Sequence, residues 1–137
     1  MSKWEPNRPF GEWEALFAYV RETWKLEAAD ESGEWFERVW EWTDPVRSQQ
    51  VTIARVDHYG EVWVSWCAAV ADEMTDAQII EATASEVGRI IRDEGSCWLE
   101  QHVPLAQLTP RLLDRLSDAF AERADNLELD VTGQDRD

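Results

Sequence analysis

The sequence predicts an α+β domain: a mostly antiparallel, five-stranded sheet with three helices, in the order α-β-β-β-α-β-β-α. Three observations lead there. Apolar residues at three- and four-residue spacing mark helices near both ends of the chain. Between them lie stretches that alternate apolar with polar residues, or are enriched in Val, Ile and Trp, and these mark strands. The connections between strands are short enough for hairpins, which makes the pairing antiparallel. With 137 residues the chain suits one compact domain that buries roughly 68% of its extended surface on folding.

Residues 1–9, with Pro6 and Pro9, read as an irregular lead-in. Phe10, Trp13, Phe17, Val20 and Trp24 then form one apolar stripe, which predicts a helix near 10–25 with Glu12, Glu14, Arg21 and Glu22 on its wet side. "EAADESGE" at 27–34 is a polar break. "WFERVWEW" at 35–42 alternates and reads as the first strand, with a short helix as the competing reading. The second and third strands are "QVTIARVD" and "EVWVSWCAAV", joined by "HYGE", in which Gly60 supplies the positive φ of a tight turn.

In "DEMTDAQIIEA" Thr75 is an N-cap and Gln78, three residues on, completes a capping box; Ile79, Ile80 and Ala82 then face the core. "TASEVGRIIRD" fits either a helix or a strand; a fourth strand is expected over roughly 86–93 from the hairpin turn that follows it, and the cost of Gly88 inside a helix, close to 1 kcal/mol against Ala, also favours the strand. "DEGS" makes the next hairpin turn and 96–103 the fifth strand. Thr109 caps the last helix and Pro110 takes its first position. Its stripe is Leu112, Leu113, Leu116, Phe120, Ala124 and Leu127, so the single domain covers 10–128 and 129–137 is expected to be a disordered acidic tail.

Alternation also assigns faces. Phe36, Arg38, Trp40 and Trp42 share one face of the first strand, and Trp35, Glu37, Val39 and Glu41 the other. Trp63 and Trp66 are three apart and point to opposite faces, and Trp98 opposes Cys97, Leu99 and Val103. Bulky groups therefore fall on both faces, whereas three helices can cover only one.

The net charge is −16, from 29 acids against 13 bases. Such a field repels nucleic-acid phosphates and anionic membranes and attracts basic segments; it also keeps a chain with nine tryptophans in solution. No apolar run approaches the ~20 residues of a membrane span. The N-terminal stretch lacks the apolar core of a signal peptide, so a cytoplasmic location is expected.

Cys67 and Cys97 are the only cysteines. Free thiols are the expectation in a reducing compartment, with a disulfide between neighbouring strands left open. His58 and His102 are the only histidines, and no HExxH, paired CxxC, GxSxG, GxxxxGK[ST] or GxGxxG motif occurs. No catalytic, cofactor or metal residue is assigned, and a non-enzymatic role is expected.

The run "CWLEQHVPLAQLTPRLLDRLSDAFAERADNLE", taken with the element order, resembles the C-terminal half of the YbjN and type III secretion chaperone-like superfamily. The likeness rests on a strand ending in "HVPL", the "LTPRLLDRL" helix start and the "AERADNLE" helix end, and spans about residues 10–128. The resemblance implies an acidic homodimer with a chaperone-like or regulatory role, holding a partner segment in extended form. The tryptophans are the residues expected to serve it. Trp13 and Trp24 read as core. Trp35, Trp40, Trp42, Trp63, Trp66 and Trp98 either lie under helices or pave a partner or dimer interface. The expected partner is a basic or amphipathic protein segment, and the alternative is an exposed sheet face that serves only self-association.

Overall fold

The computed structural model describes residues 3–43, 46–83, 88–93 and 95–132. Over these residues it is α+β with three α-helices on an antiparallel sheet, as expected, but the sheet has six strands rather than five. The elements are α1 (Trp13–Thr23), β1 (Ala28–Ala29), β2 (Trp35–Thr43), β3 (Val46–His58), β4 (Glu61–Ala71), α2 (Asp76–Thr83), β5 (Arg89–Asp93), β6 (Ser96–Pro104), a 3-10 turn (Leu105–Gln107) and α3 (Pro110–Thr132). The sheet order is β1-β2-β3-β4-β6-β5 and every adjacent pair is antiparallel. The additional strand, β1, lies in the stretch read as a polar break. Two alanines carry no alternation, and only the partner β2 defines them as a strand.

Several local expectations hold. Thr75 and Gln78 exchange the capping-box bonds, Thr75 N–H to Gln78 Oε1 at 2.8 Å and Gln78 N–H to Thr75 Oγ1 at 3.1 Å. Thr109 caps α3 by accepting from Leu112 N–H at 3.1 Å. β3 turns into β4 through Tyr59 and Gly60, both with positive φ (50° and 79°), the two-residue turn whose twist suits a hairpin.

Other expectations shift. α1 begins at Trp13 and not at Phe10, whose N–H instead bonds Leu108 O at 3.0 Å. Trp24 caps α1 rather than continuing it. β3 starts four residues earlier than expected, and α3 runs past 127 to Thr132. Ile80, expected in the core, is 71% exposed, because α2 turns Ile79 and Ala82 inward instead. Leu112, expected in the stripe of α3, is 36% exposed. Positions 86 and 87 of the expected fourth strand, Glu94 of its turn and residues 133–137 of the expected tail lie outside the described residues.

Gly88 is required for two independent reasons. Its φ is +76°, and a Cβ there would lie 2.9 Å from Leu99 Cδ1 and 3.0 Å from Glu100 O. Gly88→Ala is expected to cost about 1–3 kcal/mol through strain and crowding together, read as a lower urea midpoint at unchanged slope. A neutral result would show that this approach to β6 is loose.

All three helices lie on one face of the sheet. Opposed residues of antiparallel strands share a face, so the register places Phe36, Trp40, Gln49, Val51, Ile53, Val64, Trp66, Ala68 and Leu99 together under the helices, and all of them are buried. An aromatic cluster joins α1 to β2 there: Trp13, Phe17 and Trp24 meet Phe36 at ring distances of 6.1, 5.7 and 5.9 Å, and Trp24 meets Trp40 at 5.8 Å.

The polar ends of these rings are bound as well. Asp114 of α3 accepts from Tyr19 Oη–H at 2.8 Å and Trp24 Nε1–H at 3.0 Å, and Asp118 one turn on accepts from Trp40 Nε1–H at 2.8 Å. Asp125 further along sits 2.9 Å from Arg47 Nε on β3. Burial, followed by the neighbouring Asp114 carboxylate, pushes the Tyr19 phenol up to about 12. Trp66 donates to Ser117 at 2.9 Å and Trp13 to Gly33 O at 2.6 Å. One line of acids along α3 thus fastens α1, β2 and β3, and it gives several tryptophans a structural task.

Candidate functional site

Among the described residues the opposite face of the sheet carries no helix. Its rows follow from the register. Trp35 lines up with Ala54, Ser65 and His102 across β2, β3, β4 and β6. The next row is Glu37, Thr52, Cys67, Glu100 and Arg89, and beyond it Ile91 stands opposite Trp98 and Ala69. At the other end Val56, Trp63 and Pro104 form a row.

The six expected interface tryptophans therefore divide. Trp40, Trp42 and Trp66 point under the helices, Trp66 with no exposed surface and Trp40 with 7%. Trp35, Trp63 and Trp98 point to the uncovered face, each half-buried against its neighbours. They do not form one cluster. Trp35 and Trp63 stand on strands two positions apart, at least roughly 10 Å, and the backbones of Trp63 and Trp98 are offset by six residues, roughly 20 Å along the strands. Trp63 packs edge-on against His58 at 6.0 Å. Its Nε1–H is screened from solvent and meets no acceptor, unlike the bonded indoles of Trp13, Trp24, Trp40 and Trp66 on the other side.

The polar row separates the apolar ends. Glu37 accepts from Gln50 Nε2 at 2.8 Å and Thr52 Oγ1 at 3.4 Å. Glu100 meets Arg89 at 3.3 Å and His102 Nε2 at 3.0 Å. Between them, burial and then the Glu100 charge push the Cys67 thiol up to about 11. Cys97 is buried on the helix side, so the two free cysteines face opposite ways from adjacent strands. Cys67 is expected to alkylate at pH 8 at less than a tenth of the rate of a free thiol, since only the thiolate reacts. Rapid labelling in the folded protein would refute that burial.

Surface clefts of 270–460 Å³ lie on the helix side and at the ends of the sheet, the largest between α2 and α3 beside Gln78, Glu81, Arg123 and Asp130. Among the described residues no group of three or more His, Cys, Asp or Glu is placed to hold a metal ion, and no helix is long and apolar enough to cross a membrane. The signal for the uncovered face was present in the alternation of β2, β4 and β6. The acid line on α3 was not readable, because aspartates at helical spacing look like any solvated face until their partners are known. No protein-family model and no curated protein matches the chain.

Proposed function

We propose that the chain is a non-enzymatic binding module, chaperone-like or adaptor in kind, whose uncovered sheet face receives a segment of a partner protein. The observation that carries this reading is that α1, α2 and α3 share one face of the sheet, while Trp35, Trp63, Trp98, Val39, Val56 and Ile91 stand on the other. Large rings are the residues that contribute most when a partner desolvates them. The net charge of −16 favours a basic or amphipathic segment and gives the association a salt dependence. The resemblance of "HVPLAQLTPRLLDRL" to the secretion-chaperone-like superfamily points the same way. A second copy of the chain is the competing occupant, in the symmetric dimer that the resemblance implies.

Trp63→Ala and Trp98→Ala test it. Both side chains stand outside the helix-covered core, so the variants should keep their unfolding midpoints within about 1 kcal/mol of the parent. Affinity for a basic amphipathic helical peptide, which has no extended backbone to add to a strand, should fall at least tenfold, about 1.4 kcal/mol, and should weaken as ionic strength rises. Unchanged affinity in both variants overturns the reading. Loss of a dimer by light scattering, with no peptide binding in the parent, assigns the face to self-association.

A further inference from the structure

We infer that the free outer edge of β2, from Val39 to Thr43, takes up an extended protein segment in which basic and apolar residues alternate. The inference rests on reading the chain as a binding module, but it uses the edge of the sheet and not its uncovered face.

β1 covers little of that edge. It pairs only at Ala28 with Glu37 and Ala29 with Phe36, whereas β2 continues to Thr43. Two backbone bonds fix which groups are left over. Arg55 N–H bonds Glu34 O at 2.9 Å, so the even-numbered residues of β2 turn their backbone groups toward β3. Asp30 N–H bonds Trp35 O at 2.9 Å, so the odd-numbered residues turn theirs outward. Beyond β1 the outward residues are Val39, Glu41 and Thr43, and among the described residues no strand pairs with them there. The open stretch is five residues, roughly 17 Å long.

Edges of this kind are normally closed by a proline, a bulge or a charge held across them. Residues 38–43, "RVWEWT", contain no proline, and the β2–β3 register runs without a shift. The one basic residue, Arg38, is drawn away: its guanidinium lies 4.8 Å from the Trp24 ring and 4.3 Å from the Trp40 ring, beneath the helices.

The flanks specify the occupant. On the uncovered side the open stretch presents Val39 and exposed Glu41; on the helix side it presents half-buried Trp42. An added strand alternates its side chains between these flanks. Lysine or arginine therefore faces Glu41, and an apolar residue faces Trp42. A second copy fits less well. A two-fold pairing of β2 with itself sets the two Glu41 side chains opposite each other or one row apart, in chains that each carry −16.

The probe is a nonapeptide alternating Lys and Val, with its Glu–Val counterpart as control. The Lys–Val peptide should slow amide exchange of Val39, Glu41 and Thr43 at least tenfold, and the Glu–Val peptide should not. Val39→Pro removes an outward N–H without breaking the β2–β3 ladder and should weaken the Lys–Val peptide at least tenfold; Thr43→Pro is the second variant should the first fold poorly. Trp98→Ala should leave this binding unchanged. Binding that survives both proline variants, or that leaves the three amides unprotected, overturns the edge proposal. If it is instead lost in Trp98→Ala, the edge proposal fails while the face reading stands. A dimer that Val39→Pro converts to monomer assigns the edge to a second copy and also overturns the proposal.

Discussion

Trp66→Ala should destabilise the protein by about 3–5 kcal/mol, the range for deleting a large buried ring whose space cannot collapse. The indole has no exposed surface, stands beside Ile53 and Gln101 on the neighbouring strands, and donates to Ser117 of α3 at 2.9 Å. Its removal opens a cavity at the point where α3 crosses the sheet and leaves the buried Ser117 hydroxyl without that donor. Against a total of about 5–15 kcal/mol for a typical domain, about 0–12 kcal/mol would remain, so a domain at the low end of that range would be partly unfolded at ordinary temperature. Urea unfolding followed by far-UV circular dichroism reads the loss. A change below about 1 kcal/mol would mean that the helix layer does not depend on this ring. The same burial makes Trp66 unsuitable as a probe of partner binding, whereas Trp63, three residues away, is suitable.

The second large effect is expected at Arg47. Its Nε lies 2.9 Å from Asp125, whose carboxylate is wholly buried, and its guanidinium lies 5.7 Å from the Trp42 ring. Removing one partner of a buried ion pair strands the other charge in a poorly polarisable setting, so Arg47→Met should cost about 3–5 kcal/mol. Replacing both partners, Arg47→Met with Asp125→Leu, should recover most of that loss, because neither charge of the pair then remains. Thermal unfolding of the two variants measures the difference. A double variant no more stable than the single would show that Asp125 serves α3 chiefly through other neighbours.

Local chemistry made much of this protein readable. Alternation in "WFERVWEW" was enough to send Trp40 and Trp35 to opposite faces, because side chains in a strand have a period of two whatever covers them. Thr75 with Gln78, and Thr109 with Pro110, marked two helix starts for a similar reason: the bonds that cap a helix lie within four residues of each other. Gly88 was argued from its cost in a helix, and the structure adds the crowding against Leu99 that no local argument contains.

The order of residues is enough to set the helix and strand periods, the two caps, the hairpin at Gly60 and the presence of bulky groups on both faces of the sheet. Long-range packing makes Ala28–Ala29 a strand, turns Ile80 to water, and makes Asp114, Asp118 and Asp125 partners of tryptophan, tyrosine and arginine side chains rather than solvated acids. The physical reason is range. Period and capping depend on covalent neighbours, while a strand without alternation, an exposed isoleucine and a bonded aspartate are defined by groups that lie up to 95 residues away in the chain.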